Sequence, residues 1–154
     1  MPGTVKRSSI EQLLSEHHRI ALDSNVLIYL LDADGPRSDL VALIVDGIEE
    51  GRVEAVLSAI GLVEVLTGPA RSGQVAAFEV MAAELRELGL DVVALGAGIA
   101  EDAAWIRGRD GFDLGDAVHL ASARASGATL FITNDRRMKA ITRLEVVYLD
   151  ELTA

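Results

Sequence analysis

Apolar residues recur along the chain with two spacings, and each spacing indicates one kind of element. Short continuous apolar stretches indicate buried strands, whereas apolar positions three and four apart indicate a helix that buries one face. The predicted strands cover residues 19–22, 53–57, 91–95, 129–133 and 144–149. The predicted helices cover residues 9–18, 24–31, 40–48, 60–66, 75–85, 99–107 and 116–126. This alternation predicts an α/β fold with a central parallel sheet of about five strands, covered on both faces by helices.

Capping residues, glycine and proline set the boundaries of these elements. Residues 8–11 read Ser-Ser-Ile-Glu and fit a capping box, so residues 1–18 are predicted to be an N-terminal extension with a short helix. The segment 34–36 predicts a break, and Gly68 with Pro69 is predicted to end the helix at residue 66. The remaining residues, 19–154, are predicted to form a single domain.

Composition narrows the class of protein and of metal site. The 154 residues are 50% hydrophobic, enough for one core, and no apolar run approaches membrane-spanning length. The N-terminal residues lack the apolar stretch of a signal peptide, so we expect a cytoplasmic protein without membrane contact. The chain has no cysteine, which excludes disulfides and thiolate zinc sites. Oxygen and imidazole ligands are left, and oxygen ligands favour Mg²⁺ or Mn²⁺.

The charge balance gives two opposing indications about nucleic acid. A net charge of −10 argues against a nucleic-acid partner when it is taken alone. The C-terminal third nevertheless carries a series of basic residues: Arg107, Arg109, Arg124, Arg136, Arg137, Lys139 and Arg143. Bound divalent cations would also reverse the local sign. The aromatic content of 4% is too low for an extended base-stacking platform.

Four acidic residues lie beside apolar segments, where an uncompensated charge is costly. Asp23 and Asp135 follow predicted strands, whereas Glu64 and Asp116 lie early in predicted helices. Ligands of parallel sheets bind at the carboxyl ends of the strands, so we expect the four carboxylates to converge there. A divalent metal ion would compensate their charge. The four residues are therefore predicted as catalytic metal ligands.

Each of these carboxylates also has a simpler interpretation. Asp23 fits a helix N-cap and Asp135 fits a turn residue. Glu64 fits the solvent-facing position of a helix. Asp116 fits a first-turn charge favoured by the helix dipole, although Asp113 is predicted to cap that helix and leave Asp116 available for metal. These alternatives remain open for each residue taken by itself.

Polar and basic residues near the carboxylates suggest supporting roles. Three are predicted to orient the ligands through hydrogen bonds: Asn25, Thr133 and Asn134. Arg136 and Arg137 are predicted to contact substrate phosphates, with solvated surface as an equal alternative. His119 lies on the same helix face as Asp116. A buried, hydrogen-bonded histidine is favoured over a metal ligand at that position.

The segments around the four acids resemble, in chain order, the motifs of the PIN-domain family. They are residues 22–28, 62–66, 116–123 and 131–135, and the resemblance extends from about residue 20 to residue 149. Two features depart from the family pattern. The first acid comes late, at Asp23, because of the extension. Ser24 stands where threonine is common, and it keeps the hydroxyl.

The resemblance implies a three-layer α/β/α fold and an endoribonuclease that requires Mg²⁺, for which Mn²⁺ can substitute. Asp23, Glu64, Asp116 and Asp135 would be its catalytic acids. Small members are often VapC-like toxins of type II toxin–antitoxin pairs, which implies an RNA substrate, a cognate antitoxin and a homodimer. One stripe of apolar residues fits two interpretations equally well, burial in the core and an antitoxin interface. It consists of Leu40, Val41, Leu43, Ile44, Ile48, Leu62 and Leu66.

Two rival functions use the same residues differently. In a phosphatase of the haloacid-dehalogenase type, Asp23 would be the nucleophile. That chemistry usually needs an aspartate two residues later, where this chain has Asn25, and Lys139 is a poor candidate for its lysine. A domain that only binds a partner has no need of four carboxylates, which argues against the second rival.

Overall fold

The computed structural model of the chain describes residues 8–31 and 37–153, so the predicted break at 34–36 and residues 1–7 lie outside the described part. The strands are β1 Ser8–Ser9, β2 Arg19–Leu22, β3 Glu54–Ser58, β4 Asp91–Val93, β5 Leu130–Thr133, β6 Glu145–Tyr148 and β7 Leu152–Thr153. The helices are α1 Ile10–Glu16, α2 Ser24–Leu31, α3 Ser38–Glu49, α4 Ala59–Arg71, α5 Val75–Glu87, α6 Ala97–Asp110 and α7 Leu114–Ala125, and a short 3₁₀ turn covers Leu149–Glu151.

Five strands form one parallel sheet in the order β4-β3-β2-β5-β6. The adjacent inner strands β2 and β5 are almost wholly apolar and buried, because helices cover both faces of the sheet. Alternate residues point to opposite faces, so Ile20 packs in the core with α1 to α4, whereas Ala21 packs against α7 through Leu120. The predicted three-layer α/β/α architecture with five parallel strands is confirmed.

The N-terminal segment joins the domain through a second, smaller sheet. β1 pairs in parallel with β7, with Ser8 opposite Leu152. The predicted short helix is present as α1, and its apolar residues Ile10, Leu13 and Leu14 are buried in the main core. Strands of two residues are too short to give an apolar pattern, so the sequence did not predict this pairing.

The prediction that Gly68 and Pro69 end a helix is wrong, because α4 continues to Arg71. Proline removes one backbone donor and crowds the carbonyl four residues earlier. Pro69 lies in the last turn, so only two helical residues follow the position where this hydrogen bond is lost. Hydroxyls also bond to backbone carbonyls in this turn, from Thr67 to Val63 and from Ser72 to Pro69.

The apolar stripe of α3 and α4 packs mainly inward. Val41 and Ile44 are buried in the main core, and the other members are partly buried against it. Core packing therefore accounts for most of the stripe. Within residues 8–31 and 37–153, no helix has the length and apolar character needed to cross a membrane.

Candidate functional site

Three neighbouring strands end at the same edge of the sheet and define the position of the site. β3 ends at Ser58, β2 at Leu22 and β5 at Thr133, and these strands are adjacent in the order β3-β2-β5. The backbone N–H of Asp23 continues the ladder by donating to the carbonyl of Ile132 at 3.0 Å. The chain then turns into a helix after each of β2 and β3. This edge is where an open parallel sheet leaves a crevice for ligands.

Asp23 is held in one position by hydrogen bonds to both carboxylate oxygens. It is 5% exposed. Its Oδ1 accepts from the backbone N–H of Ser24 at 2.8 Å and from the Ser24 hydroxyl at 3.3 Å. Its Oδ2 accepts from the Thr133 hydroxyl at 2.7 Å and from the Asn25 amide at 3.4 Å. Four donors compensate the burial of this carboxylate, so its orientation is fixed before any ligand arrives.

Two of the three predicted orienting residues contact Asp23, and the third does not. Asn25 and Thr133 donate to it directly. The side-chain oxygen of Asn134 instead accepts from the backbone N–H of Asp150 at 3.3 Å. Its backbone N–H donates to Asn25 Oδ1 at 3.2 Å, so Asn134 supports the site only through that residue.

A buried histidine connects Glu64 to the end of β3. His119 is 2% exposed, and its Nε2 lies 2.5 Å from Glu64 Oε1 and 3.8 Å from Asp23 Oδ1. Its Nδ1 shares a hydrogen bond with the Ser58 hydroxyl at 2.9 Å. The hydrogen bond from His119 lowers the pKa of Glu64, against the opposing effect of burial.

The sequence favoured a buried, hydrogen-bonded histidine at position 119, as the structure shows, but it did not identify the partners. Glu64 and Ser58 lie 55 and 61 residues away in the chain. No local pattern connects positions so far apart. The only available signal was the presence of one histidine on the helix face that also carries Asp116.

The carboxylate of Asp135 accepts hydrogen bonds from Arg137, two residues later in the chain. Its Oδ1 accepts from the backbone N–H of Arg137 at 2.9 Å, and its Oδ2 accepts from Arg137 Nη2 at 2.9 Å. The side-chain hydrogen bond from Arg137 is the main reason that the pKa of Asp135 is lowered. The turn interpretation of Asp135 is therefore compatible with a place in the acidic site, because its backbone N–H also donates to Thr133 Oγ1 at 3.0 Å.

Neither arginine predicted to bind phosphate is unpaired in this structure. Arg136 contacts Asp150 at 2.9 Å and Glu151 at 2.6 Å, and its guanidinium lies 4.2 Å from the centre of the Tyr148 ring. Arg137 pairs with Asp135 and reaches Asp113 at 3.3 Å. Arg136 is therefore turned towards the end of β6, whereas Arg137 lies among the carboxylates.

Asp116 carries a negative charge that its surroundings do not balance. It is half-buried in the first turn of α7 and receives no side-chain hydrogen bond from the described residues. Burial raises its pKa most, and the charges of Asp135, Asp23 and Asp113 raise it further, against an opposing contribution from Arg137. Asp113 occupies the N-cap position, but its side chain makes no capping bond, so the capping predicted for it is absent.

The donor set suits a hard divalent cation, although the side chains do not yet form a closed site. The four candidate acids offer only carboxylate oxygens, which Mg²⁺ and Mn²⁺ prefer. Among the residues that the structure describes, no three acidic or histidine groups lie close enough together to hold an ion. Two of the four acids are bonded to other side chains, Glu64 to His119 and Asp135 to Arg137. Asp23 and Asp116 are the carboxylates best disposed towards a cation.

Comparison with known proteins identifies the fold. The sequence model of the PIN domain matches residues 20–144. No protein with a curated description matches the chain.

Similar solved structures include VapBC2 from Rickettsia felis bound to a promoter DNA fragment, at 17% identity and a TM-score of 0.65, covering 84% of this chain and 98% of that chain. VapBC-1 from nontypeable Haemophilus influenzae has 22% identity and a TM-score of 0.63, covering 86% and 98%. VapC20 from Mycobacterium tuberculosis, a sarcin–ricin loop cleaving toxin, has 20% identity and a TM-score of 0.57, covering 73% and 86%. At these identities the likeness establishes a shared fold.

Proposed function

The chain belongs to the PIN-domain family, and from this premise we propose that it is a metal-dependent endoribonuclease, the toxin of a type II toxin–antitoxin pair. The observation that carries the proposal is the unbalanced charge of Asp116 beside the prearranged carboxylate of Asp23. A half-buried carboxylate repelled by its neighbours is costly in a purely structural site. The same arrangement attracts a divalent cation.

Each acid has a distinct part in the proposed site. Asp23 supplies oxygens whose orientation Thr133 and Asn25 already fix. Asp116 supplies the charge that most favours cation binding. Glu64 and Asp135 would complete the site after release from His119 and Arg137. Held by these four acids, Mg²⁺ or Mn²⁺ would supply activation of a water molecule and stabilisation of the negative charge at phosphorus.

No protein nucleophile is needed for phosphodiester hydrolysis of this kind. Ser58, the hydroxyl nearest to His119, is buried, and its oxygen accepts from the backbone N–H of Gly61 at 3.3 Å. Attack by water leaves products with 5′-phosphate and 3′-hydroxyl ends. The structure also weakens the aspartyl-phosphatase alternative, because the residue in its general-acid position is Asn25, whose amide donates to Asp23.

We also propose a cognate antitoxin, because one of the similar solved structures is of a toxin. The homodimer is proposed from the family resemblance. A mainly apolar groove of about 260 Å³ lies between α2 and α4, and Ile28, Pro69 and Met81 are among the residues that line it. Glu64 lies in the same groove. An amphipathic antitoxin helix would fit there and extend a basic side chain towards the carboxylates. Its inhibition should therefore weaken as Mg²⁺ or Mn²⁺ is raised.

Cleavage of a labelled RNA by the purified protein tests the proposed function. Wild type is expected to cleave with Mg²⁺ or Mn²⁺ and to stop in EDTA. Asp116→Asn should lose at least about 10²-fold in rate, the usual cost of removing one electrostatic stabiliser. Glu101→Gln, which removes an exposed acid from α6, should cleave like wild type. Near-normal cleavage by Asp116→Asn would overturn the site assignment.

A further inference from the structure

A second cavity opens beside Asp116, and its wall also includes Asp110 and Asp113. Its volume is about 670 Å³, within the range of sites that bind small molecules, roughly 300–1,000 Å³. Its wall includes Trp105 from α6, Phe112 from the following loop, and Arg137 and Lys139 from the segment after β5. Because Asp116 belongs to both this wall and the acidic site, a group bound here would lie next to the reacting phosphate.

The most unusual residue of this wall is the only tryptophan of the chain. Trp105 is 68% exposed. The guanidinium of Arg109 lies 5.7 Å from the centre of its ring. A large ring left in solvent beside a cavity is a common sign of a binding position, because its flat face gains from contact with another π system. The low aromatic content excludes an extended stacking platform, but one base needs only one ring.

Two basic residues lie near the ring: Lys139 belongs to the same cavity wall, and Arg109 lies against the ring from outside that wall. Among the residues that the structure describes, neither of them forms an ion pair. The remaining cations of the wall are paired, Arg124 with Asp102 at 2.8 Å and Arg137 with Asp135 at 2.9 Å. A single-stranded nucleic acid presents one base and one phosphate per nucleotide. An exposed ring beside unpaired cations matches that alternation.

We propose that Trp105 stacks on the nucleobase adjacent to the phosphate that is cleaved, and that Lys139 and Arg109 contact the flanking phosphates. This inference rests on the proposed ribonuclease function and adds the side chains that would hold the nucleotide next to the cleaved phosphate, with its base unstacked from its neighbours. Duplex RNA cannot present such a base without local opening. Recognition then depends on an accessible strand or loop.

Intrinsic fluorescence tests the stacking directly, because Trp105 is the only tryptophan in the chain. The experiment uses full-length wild type in EDTA and an unstructured RNA about 10 nucleotides long, a typical length for single-strand sites. The RNA should quench the tryptophan emission saturably. A strand of the same length without bases should leave the emission unchanged. Absence of quenching by the RNA would overturn the proposal.

Affinity measurements with a fluorescently labelled RNA provide the matched comparison. Trp105→Ala should weaken binding by about 5- to 100-fold, the range expected for one stacked base, whereas Trp105→Phe should retain most of the affinity. The control Val80→Ala removes an exposed apolar side chain from α5 and should bind like wild type. Equal binding by Trp105→Ala and wild type would overturn the proposal.

Two further outcomes separate this inference from its alternatives. If Trp105→Ala binds RNA normally but fails to dimerise in light scattering or to bind a purified antitoxin, the ring is a protein contact and the proposal is wrong. If wild type cleaves RNA while Trp105→Ala shows unchanged affinity, only the stacking inference fails. If wild type cleaves no RNA with Mn²⁺ and shows no quenching, the proposed function fails with it.

Discussion

Asp23 and Asp116 are two aspartates of one acidic site, yet their surroundings are opposite. Asp23 receives four hydrogen bonds and is nearly inaccessible to solvent. Asp116 receives no side-chain hydrogen bond from the described residues, and burial, followed by the neighbouring negative charges, raises its pKa. In the proposed cation site, the surroundings of Asp23 form one corner, which would supply fixed geometry. The surroundings of Asp116 form the other corner, which would supply unbalanced charge.

The two corners differ because different elements build them. The Asp23 corner lies where the ends of β2 and β5 meet, so backbone and side-chain donors converge on it from two strands. Asp116 lies in the first turn of α7, where the helix dipole favours a negative charge only modestly. Asp135 and Asp23 oppose that small benefit.

Among changes to residues that support the acids, removing the support of the Asp23 corner should have the largest effect. Thr133→Val keeps the shape of this fully buried residue but deletes the hydroxyl that donates to Asp23 and accepts from the backbone N–H of Asp135. We expect Mn²⁺ affinity and RNA cleavage to fall by about 10- to 100-fold, as for other residues that orient metal ligands. Thr133→Ser, which keeps the hydroxyl, should remain close to wild type. Wild-type affinity in Thr133→Val would show that Asp23 needs no orientation.

Removing the charge of Asp23 should lower the free energy of unfolding, whereas removing the charge of Asp116 should not. In Asp23→Asn, an amide nitrogen replaces an oxygen that accepts from Thr133 and Asn25. The new N–H groups then face the hydrogen-bond donors of these two side chains. Metal-free denaturation at neutral pH should show a loss of about 1–3 kcal/mol. Asp116→Asn removes a repelled charge and should show no loss, or a small gain. Equal losses in both variants would remove the distinction between the corners.

The effect of pH on Asp116→Asn follows from the same repulsion. Because the folded protein raises the pKa of Asp116, its charged form destabilises the fold above that pKa. The penalty disappears as the pH falls through the raised pKa and Asp116 takes up a proton. The stability advantage of metal-free Asp116→Asn should therefore be greatest at neutral pH and shrink in acid. An advantage that grows in acid would contradict the raised pKa.

The smallest expected effect concerns Arg137, which contacts Asp135 and Asp113. Arg137 pairs with Asp135, whereas its neighbour Arg136 pairs with Asp150 and Glu151 away from the acids. If binding of an ion frees Arg137 for a substrate phosphate, Arg137→Ala should lower the salt dependence of RNA binding by about 0.7 in the logarithmic slope. Arg136→Ala is the matched control and should leave the slope unchanged. Equal slopes in the two variants would count against a phosphate contact by Arg137.

The sequence predicted the elements of the site better than its contacts. Apolar runs are a local feature of the sequence. The five strands, and the positions of the four acids relative to them, could therefore be predicted. The bond between His119 and Glu64 joins distant helices and depends on how they pack on the sheet. The capture of Asp135 by Arg137 depends on rotamers that no spacing specifies. For the same reason a helix signal at Asp113 predicted a capping bond that does not form.

The most direct test of the account is a calorimetric titration of Mn²⁺ into purified, metal-free protein at neutral pH. Wild type and Glu101→Gln should bind alike, and Asp116→Asn should bind at least about tenfold more weakly, because the proposed site relies on the unbalanced charge of Asp116 to attract the cation. Absence of binding to wild type at millimolar Mn²⁺, or equal affinity in Asp116→Asn, would contradict the assignment of this acidic site as a metal site.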